Sequence, residues 1–548
     1  MRKKHFLFAS VLALLCGSSA LHAQDFKLTS SGYFKNQGVD IMAFDDIYPE
    51  GHQGGVCIIM NGHRVATNGD IRLEATPGQW QPVPKQLDRK LGDNSITATL
   101  CYPDSSRHLT GFNPMIYPDL HLIYTVNVES KGKNIEVTVD LDRPIPQEFI
   151  GKVGFNLEFF PGSLFGKPWI MDGQSGIFPQ QPNSPLMTTQ PNYLHTGNYH
   201  DGKQSLADMD KLIGKGYSPI VADDIISEPY AKGRKFTSRP DDPYNKVTIE
   251  SLSGDLQLFD GRMNHNNGWF VLRSNIKPGV TKGAVKWIIT PNVVADWMYQ
   301  PVIQTSQIGY HPAQDKEAVI EMDIRDNRKE TAQIIRIDAD GEKVVKNVTP
   351  ANWGKFLRYN YLKVDFTDVK EPGLYKIKYD TSVSPIFRID NDVYARGVWQ
   401  PVLEYFLPVQ MCHMRVNEKY RVWHDCCHMD DAQMAPAHNH IDGYDQKEGL
   451  SKFKPGEVVP GVNIGGWHDA GDFDLRIESQ AGESYILALA YEAFHPNLDV
   501  TSIDQINRVT EIHQPDGKND LLQQVENGAL TVVNGYLALG RLYRGIIC

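Results

Sequence analysis

Cysteine is scarce in this chain, with seven among 548 residues. That density excludes a small disulfide-built scaffold. Positive charge is also in short supply. Lys and Arg number 55 against 66 Asp and Glu, for a formal net charge of −11. Such a balance argues against a nucleic-acid or anionic-membrane surface. Beyond the N-terminus no stretch is apolar enough to span a membrane as a helix. No repeat of fixed short period and no low-complexity tract occurs. What remains is ordinary globular chemistry, 41% hydrophobic and 10% aromatic, at a length that suggests three domains.

The single early apolar run reads as an export signal. Arg2, Lys3 and Lys4 precede the apolar segment from Phe6 to Cys16, and Leu21-His22-Ala23 offers a small residue before Gln24. Residues 1–23 are therefore expected to be removed, leaving a periplasmic, cell-surface or secreted protein. Cys16 as a lipoprotein cysteine is the other reading, disfavoured by the bulky Leu15 before it. Cys57 and Cys101 can pair in an oxidising compartment or stand as two buried thiols.

Residues 24–300 read as β-rich. Val56 to Met60 runs into Asn61-Gly62, and two apolar alternations, Leu122 to Val128 and Ile135 to Leu141, flank Ser130-Lys131-Gly132-Lys133. Ala284 to Ile289 reads as a closing strand, and Ser205 to Ile213 is the one helical candidate. A large β-sandwich is expected, with aromatics that fill its core or stack on sugars. Residues 301–390 show short strands at regular spacing, among them Ala318–Ile324, Ile334–Asp338 and Leu374–Tyr379. These suggest an immunoglobulin-like sandwich. Residues 391–548 turn helical. Val398, Val402, Tyr405 and Val409 recur at helical spacing despite Pro401 and Pro408. Ala481, Tyr485, Ala488 and Leu489 share a face. Asn519 or Asp520 caps a last helix with the stripe Leu521, Val525, Ala529, Val532 and Tyr536.

One stretch concentrates chemistry. GGWHDAGDFD, Gly465 to Asp474, packs a histidine and three aspartates behind two glycines. The glycines permit backbone geometry that other residues resist. Asp469 and Asp472, three apart, can point the same way and deprotonate a water. Inverting glycoside hydrolysis needs such a base, with a carboxylic acid about 6.5–9.5 Å away across the bond. A bare Asp-x-x-Asp is more often a solvated turn.

This loop closely resembles the base-bearing loop of glycoside hydrolase family 9, the inverting family of cellulases and related β-glucanases. SQIGYHP, Ser306 to Pro312, and EPGLYKI, Glu371 to Ile377, resemble strands of the immunoglobulin-like domain that precedes many of its catalytic domains. The resemblance covers about residues 300–548. It implies that Asp472 is the general base, that Asp469 helps bind the same water, and that Trp467 lines the glycan cleft. It further implies a β-glucan polysaccharide or oligosaccharide as partner.

Cys412, Cys427, His428 and His468 supply two thiolates and two imidazoles, a closed tetrahedral zinc set. Family members with the immunoglobulin-like domain carry a structural zinc on ligands in this order. Cys426 is a substitute ligand, and His413, His424, His438 and His440 are competitors nearby. A catalytic zinc keeps an open position, so four protein ligands argue against a metallohydrolase. Calcium is a further candidate cofactor with no residues to assign to it.

The family's catalytic domain is a toroid of twelve helices, an (α/α)6 barrel. Asp392 to Cys548 is room for four or five helices. The expected architecture is therefore an N-terminal β-sandwich, an immunoglobulin-like β-sandwich and an incomplete (α/α)6 toroid, truncated at its C-terminus. No residue matches the family's late general acid, since Glu478, Glu483 and Glu526 come too early. A fragment with little activity of its own is the expectation. The alternative is a non-catalytic glycan-binding protein with a vestigial hydrolase domain.

Overall fold

The computed structural model describes residues 25–45, 54–74, 76–77, 84–102, 120–183, 186–189, 225–263, 268–437, 447–470 and 473–547. The signal segment and the helical candidate at 205–213 lie outside them. No helix among the described residues is long and apolar enough to cross a membrane. The chain divides into two compact units between Tyr299 and Gln300.

The first unit is built on two nine-stranded antiparallel sheets. Period-two patterning explains them. Along Ser95–Tyr102, Ile96, Ala98, Leu100 and Tyr102 point into the core while their neighbours stay half-exposed. Val56–Met60 pairs with His63–Leu73 through Asn61 and Gly62, at φ 52° and 84°. Two positive φ values in a two-residue loop make a type I′ turn, the geometry that Asn-Gly favours. Leu122–Lys131 and Asn134–Leu141 close a second hairpin at Gly132. The Cys57 thiol donates to the Gly54 carbonyl at 3.0 Å and lies 3.1 Å from the Thr67 hydroxyl. Cys101 belongs to a strand of the other sheet.

The strand Val153–Phe159 is buried on both faces. Val153, Phe155, Leu157 and Phe159 join the core. On its other face Asn156 accepts from Arg273 at 2.9 Å and donates to Glu74 at 2.6 Å. Arg273 also reaches the carbonyls of Glu74 and Lys152, so its buried charge is met by acceptors on several sides. Next to this lattice Asp70 is fully buried. It accepts from the Tyr124 hydroxyl and the Ile71 amide, and its other oxygen lies 3.7 Å from Arg72. Burial raises the Asp70 carboxyl to about 6 and that of Glu74 to about 7.

In the second unit, residues 302–389 form the expected sandwich. One sheet runs Val302–Gln304, Glu317–Asp323, Tyr359–Asp365, Ala351–Phe356. The other runs Gly341–Val348, Ala332–Asp338, Gly373–Tyr379, Ser382–Val383, with Phe387–Ile389 also on Gly373–Tyr379. Both sequence motifs have structural reasons. Tyr310 packs edge-on against Phe366 and Phe387, accepts from the Ser306 amide and donates to the Glu317 carbonyl. Tyr375 donates back to the Glu371 carbonyl at 2.8 Å, tying the strand to its preceding corner.

The remaining residues differ from the helical expectation. The segment around Val398–Val409 forms only a π turn, Val402–Phe406, and one α turn, Leu407–Gln410. Pro408 has no amide to donate, which breaks the regular ladder there. Two long helices follow, α1 (Ile477–Phe494) and α2 (Asp520–Leu539). Short strands, Arg415–Glu418, Arg421–His424, Thr501–Asp504 and Val509–Ile512, form a small sheet. Among the described residues only these two helices exceed a turn or so, not four or five, and they close no toroid.

Asn519 caps α2 as expected, its side chain accepting from the amides of Leu521 and Leu522. The buried face is another matter. Of the apolar stripe only Leu521 is buried, and Tyr536 is 51% exposed. The helix turns Asp520, Gln524, Asn527, Gly528, Thr531 and Gly535 inward instead. Its polar inner face holds a loop.

Candidate metal centre and carboxylate loop

That loop is Gly465 to Asp474. Gly465 and Gly466 take φ 74° and 90°, the left-handed region where a Cβ is strained. The Gly466 amide donates to the Asn527 carbonyl at 2.9 Å, and the Asn527 side chain donates back to the Gly466 carbonyl at 3.0 Å. On the other side the Cys412 amide donates to the same Gly466 carbonyl at 2.8 Å. Trp467 is gripped next. Gln480 of α1 exchanges hydrogen bonds with both its amide and its carbonyl, and Gln524 of α2 accepts from the indole nitrogen at 2.8 Å. The ring lies over Gly528, where a Cβ would come within 2.4 Å of it. Trp467 is thus 1% exposed and part of the core. It does not line a cleft as the family resemblance implies, because two glutamines and a glycine hold it between the helices.

His468 follows, its amide donating to the Gln410 carbonyl at 2.8 Å. This places its ring against the cysteines. The ligand atoms of Cys412, Cys427, His428 and His468 all lie within 4.8 Å of one another. Cys412 Sγ is 2.6 Å from His428 Nδ1, Cys427 Sγ is 3.1 Å from His468 Nε2, and the two sulfurs are 3.5 Å apart. Burial drives the Cys412 thiol up, while the hydrogen bond with Cys412 pulls Cys427 down. The Asp431 carboxylate lies 3.7 Å from His428 Nε2, on the side of the ring away from the sulfurs. The His413 amide donates to Cys427 Sγ at 3.3 Å.

Two soft sulfurs, two imidazoles and a carboxylate behind one imidazole fit a four-coordinate zinc. The competitors sit elsewhere. Cys426 Sγ points at the Arg508 carbonyl, 4.0 Å away. His424 bonds the carbonyls of Val409 and Asp425. His413 is buried with Nδ1 on the Gly465 carbonyl at 2.8 Å, and burial lowers it to about 4. It braces the loop from behind as a neutral ring. His438 and His440 lie outside the described residues.

Past the histidine the loop closes on itself. The Asp469 amide donates to the Asp474 carbonyl at 2.9 Å and the Phe473 amide to the Ala470 carbonyl at 3.2 Å. Arg476, at the N-terminus of α1, pairs through Nε with Asp469 Oδ2 at 2.9 Å and through its terminal nitrogen with Asp474 Oδ2 at 2.6 Å. Asp472 lies outside the described residues. The carboxyl of Glu483 on α1 is raised, by loss of hydration first and then by the charge of Asp469. Sequence reasoning missed Arg476 and Asp474. The available signal was an arginine within the DFDLR run that continues the acidic loop.

With this geometry in place, the comparisons with known proteins bear on the chain in parts. Residues 298–384 match the family model described as the cellulase N-terminal immunoglobulin-like domain. No curated protein matches the chain. Among solved structures, a metagenome-derived glycoside hydrolase family 9 endoglucanase aligns at 24% identity and TM-score 0.34, over 45% of this chain and 42% of that one. A Bacteroides ovatus structure titled GH9 aligns at 20% identity and TM-score 0.32, over 44% and 41%. A zinc-binding triple mutant of the family 9 endoglucanase J30 aligns at 22% identity and TM-score 0.31, over 41% and 38%. The chain thus spans well under half the length of each of these structures. The matched segment contains SQIGYHP and EPGLYKI and agrees with their resemblance, so residues 298–384 are an immunoglobulin-like domain of the kind found at the N-terminus of cellulases.

Proposed function

We propose that the chain is part of a secreted, inverting β-glycosidase that attacks β-1,4-linked glucans, with Asp472 as the general base. The observation that carries this is the double anchoring of the loop. The Cys412, Cys427, His428 and His468 cluster fixes one end, and the Arg476 bridge to Asp469 and Asp474 fixes the other. Between them in sequence lies Asp472. Rigid placement of a base matters because small displacements of a reacting group cost large factors in rate. In this reading Asp469 is oriented by Arg476 to hold the attacking water, and Asp472 takes its proton as the bond to the anomeric carbon breaks. A zinc bound by the four ligands would supply structure only, joining the segment 412–428 to the loop. Trp467 acts through the loop's position. Secretion rests on the N-terminal signal.

No residue of the chain is assigned the general acid, which shapes the test. A substrate whose leaving group departs without protonation needs only the base. Dinitrophenyl β-cellobioside is such a substrate. The purified chain is expected to release dinitrophenolate, and Asp472→Ala to slow release by about 10²–10⁴-fold. Release that is unaffected by Asp472→Ala removes the base assignment.

A further inference from the structure

The immunoglobulin-like domain carries an aromatic surface that the carboxylate loop does not use. Along Tyr359–Asp365, Asn360, Leu362 and Val364 point into the sandwich, which turns Tyr359, Tyr361 and Lys363 outward. The neighbouring edge strand, Ala351–Phe356, adds to that face. Phe356 pairs with Tyr359 and Gly354 with Tyr361, and the register slips between Asn352 and Gly354. Trp353 is the extra residue of this bulge, and bulges re-aim side chains. Its ring stands 5.6 Å from that of Tyr361 at 90°, and Tyr359 lies 6.1 Å from Tyr361. Trp353 is 57% exposed and Phe356 56%. Gly354, at φ 125°, has no atom within 4 Å of where its Cβ would sit. The face is therefore a shallow groove with bare backbone as floor and rings as walls.

We propose that this groove is a carbohydrate-binding site for a neutral β-linked glucan chain. The face's charges favour an uncharged polyol. Lys363 is paired with Glu317 at 2.8 Å, and Glu321 accepts from the Tyr361 hydroxyl at 3.1 Å. Glu321 keeps its negative charge beside that phenol, an acceptor suited to hydroxyl groups and unsuited to phosphate or acidic side chains. The apolar C–H face of a pyranose packs on an aromatic ring, while the phenol and carboxylates at the ring edges suit its hydroxyls. A contiguous exposed aromatic patch of this kind marks an interaction surface where a single exposed ring does not. The ligand class rests on the reading under Proposed function. The site itself uses different residues.

The test uses the full chain, pulled down on microcrystalline cellulose and retarded in native gels containing mixed-linkage β-glucan. Wild type and Asp472→Ala are expected to be retained alike. Trp353→Ala, and Trp353→Ala with Tyr361→Ala, should weaken retention by about tenfold or more, since truncating a central aromatic anchor costs that much. All these variants should keep the wild-type thermal transition. Retention unchanged by both Trp353 variants overturns the proposal, as does a wild type that neither matrix holds. A Trp353-dependent dimer in light scattering, without glucan retention, also overturns it by making the edge strand a self-contact. Trp353-dependent binding without Asp472-dependent hydrolysis would leave this site standing and remove the catalytic reading, and the converse result would do the reverse.

Discussion

Replacing Gly465 by alanine should unfasten the acidic loop. The added Cβ would fall 2.3 Å from the Asn527 carbonyl oxygen and 2.9 Å from Leu530 Cβ. Neither atom can swing aside, because both belong to the middle of α2. The φ of 74° adds a left-handed penalty of about 1–2 kcal/mol for any residue with a Cβ. Relief requires the loop to lift from the helix, which breaks the reciprocal bonds between Gly466 and Asn527. Buried groups left unsatisfied cost about 1–3 kcal/mol each. A local destabilisation of about 3–8 kcal/mol follows from these magnitudes. Hydrogen exchange read on peptides covering 460–470 and 520–535 is the suitable assay, since a multidomain chain has no single unfolding free energy. Two comparisons calibrate it. At Gly466 the nearest atom is the flexible end of Leu475, so Gly466→Ala should cost less. At Gly482, in α1, nothing lies within 4 Å, and alanine there should be neutral or stabilising. If Gly465→Ala exchanges no faster than Gly466→Ala, the close approach of loop and helix is not what shapes this corner.

Much of the fold was legible where local chemistry and tertiary need agree. Asn61-Gly62 demands a turn with two positive φ values, and the flanking strands take it. Tyr310 and Tyr375 sit in motifs because their hydroxyls satisfy carbonyls at the sandwich corners. The four metal-ligand candidates converge although 56 positions separate the first from the last, since thiol and imidazole had few other places to be buried.

What stayed hidden was polar. The helical stripe of α2 misled because burial was assumed to follow apolarity. Here Gln480, Gln524 and Asn527 are buried so that they can satisfy the backbone of a loop that belongs to no sheet or helix. A hydrophobic periodicity cannot register a face selected for hydrogen bonding. Trp467 misled for the related reason that proximity in sequence to an acidic loop says nothing of which way a ring points. The edge strand Ala351–Phe356 went unread because the bulge at Trp353 breaks the alternation that announces a strand.

Two further outcomes follow from the charged and sulfur groups. The purified chain should bind one zinc, lost in Cys427→Ser and kept in Cys426→Ser. Its cobalt(II) form should show thiolate charge-transfer absorption, and a chain whose metal content ignores Cys427 would break the tetrahedral assignment. The last concerns pH. Burial raises Asp70 from 3.8 to about 6 in the folded protein. A carboxyl with a raised folded value binds its proton more tightly native than unfolded. Its contribution is therefore fully present below pH ~4 and is lost as pH climbs through about 6, at about 1.4 kcal/mol for each pH increment of one between the two values. Glu74, raised to about 7, acts in the same direction at slightly higher pH. Asp70→Asn keeps an acceptor for Tyr124 and Ile71 but has no proton to lose. The variant should therefore lose about 3 kcal/mol less than wild type between pH 4 and pH 7. Hydrogen exchange of peptides from the strands around Asp70, Leu122–Lys131 and Val153–Phe159, followed against pH, reads the difference in this unit. Parallel pH profiles would mean that Arg72, at 3.7 Å, already holds Asp70 ionised throughout that range.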